Sequence, residues 1–66
     1  MENNLVVFAH KIVSEMKDIS RWIKEAKERH MGYIHVNHLY EDNESWLSDH
    51  GYRISRSNGL CFVIWE

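Results

Sequence analysis

Five histidines and one cysteine in 66 residues are the first side chains to weigh for chemistry. His35 and His38 stand in H-x-x-H spacing, and His30, His50 or Cys61 could meet them in space. Zinc asks for four such ligands in a tetrahedron. The two histidines straddle a strand end, however, and no second pair at C-x-x-C or H-x-x-x-H spacing exists. His30 falls at a helix C-terminus, where positive charge is useful without a metal, and His35 reads as part of a strand's outer face. Cys61 with a histidine base would make a nucleophile, but its strand position turns it into the core, where a thiol is inert. Asp42, Glu44 and Asp49 offer carboxylates for acid-base work, and a solvated helix N-terminus accounts for the first two. Gly32, Gly51 and Gly59 are isolated, so no loop cradles phosphate. The chain therefore reads as a non-enzyme, with no catalytic residue, cofactor or metal assigned.

The elements that position these side chains follow from size and periodicity. Residues 1–66 make a single domain, and a chain this short buries only about 60% of its unfolded surface. One cysteine allows no internal disulfide, which leaves a metal, self-association or a tightly packed core to stabilise the fold. An apolar content of 44% with 27% charged residues fits a globular protein. The net charge of −2 argues against a chain devoted to nucleic-acid backbone. The negative excess lies in the second half, with Glu41, Asp42 and Glu44 as its local cluster. Leu5 to Ala9 is too short for a membrane span or most signal cores and lacks a basic region ahead of it, so a cytoplasmic protein is expected.

Leu5, Ala9, Ile12, Met16, Ile19, Ile23, Ala26 and His30 recur at steps of four and three, the seam of one long amphipathic helix. Phe8, Val13 and Trp22 widen it. Asn3 or Asn4 is the expected N-cap, and Gly32 the expected left-handed exit. Tyr33-Ile34-His35-Val36 alternates as a short strand. Asn37 ends it and is placed to cap a second helix, which covers Glu44–His50 and extends toward His38. Gly51 then supplies a left-handed exit, with Tyr52 folding back on the last turn. Asn58-Gly59 signals a hairpin whose register sets Ile54 against Val63, Tyr52 against Trp65 and Arg56 against Cys61. The last strand is apolar on both faces while its partner is not, which places it centrally, between Tyr52–Arg56 and Tyr33–Val36. The expected class is α+β: a long N-terminal helix on a three-stranded antiparallel sheet, in the order α-β-α-β-β.

A helix of about 25 residues spans roughly 38 Å, whereas six-residue strands span about 20 Å. The Leu5–Met16 end of the seam thus lacks a cover, unless the second helix folds over it, and so do Leu60, Phe62 and Ile64 on the far sheet face. Apolar burial is worth about 25 cal/mol per Å², so both patches favour a partner. The expected contact residues are Leu5, Phe8, Ile12 and Met16 on the helix and Leu60, Phe62 and Ile64 on the sheet, with Trp22, Tyr40, Glu41, Asp42 and Glu44 secondary. A homodimer through the helix seam or a foreign protein would satisfy them.

The rival is a winged-helix-like nucleic-acid module using Lys17, Arg21, Lys24, Arg53 and Arg56. Against it, the fifteen residues Asn37–Gly51 would have to hold both helices of a helix-turn-helix, and they carry Glu44 and Asp49 with no Lys or Arg. Finally, Trp46-Leu47-x-x-x-Gly51-Tyr52-x-Ile54, followed by the Asn-Gly turn and Val63-Ile64-Trp65, resembles the ending of many small accessory proteins of tailed bacteriophages. That resemblance covers the second half of the chain. It implies a protein of the host cytoplasm that binds and redirects or inhibits a host protein.

Overall fold

The computed structural model describes the backbone from Asn4 to Glu66 and the side chains from Val7 onward, so the expected N-cap and the contact assigned to Leu5 lie outside the described residues. The elements are α1 (Asn4–Glu28), β1 (Tyr33–Val36), α2 (Glu41–Asp49), β2 (Arg53–Ser57) and β3 (Leu60–Ile64). The sheet is antiparallel in the order β1-β3-β2, with the doubly apolar β3 in the centre. Asn58 and Gly59 both take positive φ, 51° and 78°, which suits the right-handed twist of the strands they join. The resulting register sets Ile54 opposite Val63 and Arg56 opposite Cys61. On the other side of β3, Ile34 faces Val63 and Val36 faces Cys61.

Alternation then sorts the sheet into two faces. The inner one gives Ile34, Val36, Cys61 and Val63 to the core, where Ile19, Ile23 and Ala26 of α1, Leu39 and Leu47 meet them. Met16, Tyr52, Ile54 and Trp65 close its margin. Among the described residues, the part of α1 sealed in this way is its second half. The helix outreaches the sheet, and the molecule measures 45 × 25 × 21 Å. Lys27 fixes the far end: its Nζ lies 5.5 Å from the Tyr52 ring centre and 5.7 Å from that of Trp65, while the Trp65 indole N–H donates to the Met31 carbonyl at 3.1 Å.

Two helix ends differ from expectation. α1 stops at Glu28, and its left-handed exit is His30 (φ 60°), not Gly32. The Met31 N–H donates to Ala26 O at 2.9 Å and the His30 N–H to Lys27 O at 3.0 Å, the paired bonds of a Schellman end. Gly32 serves the sheet instead, since its carbonyl accepts the Trp65 N–H at 3.0 Å and extends the β1–β3 ladder. A side chain in the left-handed region is strained, so His30→Gly is expected to raise stability by about 1 kcal/mol or less, read as a higher urea midpoint at unchanged slope. At the end of α2 the exit is Gly51 (φ 90°), and the Tyr52 N–H folds back to Leu47 O at 3.0 Å.

The second correction concerns the start of α2. Its N-cap is Tyr40, which makes no side-chain capping bond, and Asn37 lies three residues too early. The cap comes from α1 instead.

Candidate functional site

Glu15 lies between the seam positions Ile12 and Ile19, and the second helix docks on it. Its Oε1 accepts the Tyr40 N–H at 2.8 Å and the Asn43 Nδ2–H at 2.9 Å, and its Oε2 sits 2.7 Å from His38 Nδ1. Asn43, 4% exposed, also donates to the Ile12 carbonyl at 3.0 Å. A carboxylate at a helix N-terminus meets free N–H groups and the positive end of the dipole. Burial pushes the Glu15 carboxyl up. The bonds from Asn43, Tyr40 and His38, with the nearby His38 charge, outweigh it and hold the group below its ordinary value. On the other flank of α2, Glu44 pairs with Arg56 of β2. These bonds hold α2 across α1 and β2, and they shape three separate surfaces.

The first surface is the α1–α2 flank. Ile12, Val13, Met16 and Trp46 line an open cleft of about 550 Å³. Trp46 stacks on His50 with ring centres 3.7 Å apart and planes 14° from parallel, which fixes its indole. Phe8 stands edge-on to Tyr40 at 5.4 Å, on the opposite margin of the strip that α2 occupies. Ile12 and Met16 are partly covered by α2, which corrects the expectation of a bare seam over those residues. Phe8 (47%), Val13 (54%) and Trp46 (47%) stay exposed. Sequence reasoning assigns neither Val13 nor Trp46 to a contact surface, although Val13 neighbours Ile12 and Met16 on the helical wheel.

The second surface is a groove of about 850 Å³ between α1 and β1. Trp22 and Tyr40 line it, as do the core residues Ile34 and Val36, and Lys11 and Arg29 belong to its walls. Trp22 and the acidic cluster therefore lie apart: Glu41, Asp42 and Glu44 occupy the first turn of α2, with Asp42 on the cleft and Glu44 held by Arg56.

The third is the outer sheet face, which no described element covers. Tyr33, His35 and Phe62 form an aromatic row there, with ring centres 6.2 and 6.3 Å from Phe62. Leu60 and Ile64 continue it along β3. The described residues expected on the helix seam, on the outer sheet face and at the secondary positions are thus spread over three surfaces, because α2 and the sheet separate them.

Of the cations proposed for nucleic acid, Arg21 lies 3.5 Å from Asp18, Arg53 donates to the Glu66 carbonyl at 2.6 Å, and Arg56 is held by Glu44. Cys61 is buried, and that burial pushes its thiol up, away from the thiolate. Among the described residues, no group of three or more His, Cys, Asp or Glu side chains is arranged to hold a metal ion. No described helix is long and apolar enough to cross a membrane. The elements thus define a two-layer α+β domain with exposed apolar surfaces. No family model matches the chain, and neither a curated protein nor a solved structure is significantly similar to it.

Proposed function

We propose that this chain is a non-enzymatic protein-interaction module that acts as a homodimer and binds a partner protein through its α1–α2 flank. The supporting observation is the exposure of Val13 and Trp46 on a cleft whose second wall is fixed by the Glu15 bonds. Anchors held in place in advance lose little entropy on binding, and aromatic side chains supply much of the energy of protein interfaces. Following the resemblance to small phage proteins, the partner is a host protein that the module inhibits or modulates in the host cytoplasm.

Val13→Asp tests the reading. Ile12 is a poorer probe, because its side chain is half-buried beside Asn43 of α2 and a charge there would loosen that helix. Val13 faces solvent, so its replacement should change stability by about 0.5 kcal/mol or less. A host protein retained by the wild-type chain should be lost by Val13→Asp and kept by Lys24→Ala. Equal retention by both variants overturns the flank as the contact site.

The β1-β3-β2 order with a C-terminal hairpin favours one rival, a winged-helix-like nucleic-acid module. Duplex DNA binding that weakens steeply with salt, and with loss of Lys17, Arg21 or Lys24, would establish that rival in place of the proposal.

A further inference from the structure

We infer that a second copy of this chain pairs antiparallel along the free edge of β1 and joins the two sheets into one of six strands; this rests on the homodimeric reading above and assigns its interface.

The β1–β3 ladder shows which backbone groups are free. Gly32 O accepts the Trp65 N–H, so Gly32 and Trp65 form a bonded pair in the register that sets Tyr33 against Ile64 and Ile34 against Val63. Bonded and non-bonded pairs alternate in an antiparallel ladder. Ile34 and Val36 therefore turn their N–H and C=O groups toward β3. Tyr33 and His35 turn theirs outward, to the edge that has no neighbouring strand among the described residues. A two-fold axis at Ile34 sets Tyr33 opposite the partner's His35 and His35 opposite the partner's Tyr33. Both pairs are bonded pairs, and the four N–H···O bonds formed use every outward group on both copies.

The side chains agree with this pairing. On the outer face, Tyr33 and His35 would meet their counterparts and continue the aromatic row with Phe62 across the junction. On the inner face, the two Ile34 side chains would form the close non-bonded pair, beside Trp22, which is 40% exposed on the same groove. The α1 wall of the same groove carries Lys11 and Arg29 together with Asp18 and Glu25, charges of both signs for an inverted copy of itself to meet. The two sheet edges also differ in protection. β2 carries Arg53 and Arg56, whereas β1 has no Lys, Arg or Pro to deter a neighbouring strand.

Two measurements on the full chain test the inference. In sedimentation equilibrium the wild type should be a dimer, and His35→Pro should weaken it by about 100-fold or more, since each copy loses a donor and gains a ring at the junction. The His35 N–H makes no bond within its own sheet, so the substitution is compatible with the fold. Independently of any variant, the Tyr33 and His35 amides of the wild type should exchange slowly with solvent at dimer concentrations and quickly on dilution. A dimer whose Tyr33 and His35 amides exchange freely, or one broken by Val13→Asp and not by His35→Pro, overturns edge pairing and leaves the homodimeric reading standing. A wild-type chain that stays monomeric overturns both.

Discussion

Leu47→Ala is expected to cost about 2–5 kcal/mol, a large share of the roughly 3–10 kcal/mol that a domain of this size possesses. Leu47 is completely buried, and α2 contributes only Asn43 and Leu47 to the interior. Removing its branched end leaves a void between α2 and the sheet. Neighbours cannot easily collapse into that void, because the Leu47 carbonyl is tied to the Tyr52 N–H and Glu44 is tied to Arg56. The contact surface should fail with the core, since Trp46 projects from the turn that Leu47 anchors. At a fixed protein concentration, a thermal melt should show a drop of about 10–25 °C. Leu47→Met, which nearly conserves volume, should cost about 1.5 kcal/mol or less. Equal losses in the two variants would show that packing at this position is not what holds α2.

Glu15→Ala carries the second large effect, about 2–3 kcal/mol, for a different reason. It deletes the acceptor shared by the Tyr40 N–H and Asn43 Nδ2 and leaves two partly buried donors with fewer partners. Glu15→Gln keeps one acceptor oxygen and should fall between Glu15→Ala and the wild type. The pH dependence has a definite sign. A carboxyl held below its ordinary value in the folded protein contributes stability that is complete above that ordinary value and is lost as pH falls through the folded one. The advantage of the wild type over Glu15→Gln should accordingly be full at neutral pH and shrink in acid, with His38 as the titratable neighbour of the same cluster. Urea midpoints of both proteins across the acid range check this. An advantage that does not change with pH would mean that Glu15 acts by shape and not by charge.

How far the molecule could be read from its residues depends on the range of the interactions concerned. The hairpin register was legible because Asn58-Gly59 demands two left-handed residues, and a two-residue loop leaves no freedom to slip. The central place of β3 was legible because Leu60, Phe62 and Ile64 make its second face as apolar as the face of Cys61 and Val63. The end of α1 was misplaced by two residues: Gly32 is the intrinsically favoured left-handed residue, but its carbonyl is needed by Trp65, a partner distant in sequence, and His30 accepts the strain instead.

The residues alone fix the α+β class, the order of the elements, the pairing of the strands and the excess of apolar surface on α1 over the sheet that covers it. Each of these follows from periodicity or turn chemistry within a few residues. The docking of the elements on one another sets Glu15 as the cap of a helix which begins 26 positions later, shelters Ile12 and Met16 under α2 while Phe8 and Val13 remain open, and turns Trp22 and Tyr40 to a different groove from Asp42. A carboxylate beside an apolar seam has the same pattern in the chain whether it meets water or the N-terminus of another helix, and only docking distinguishes the two.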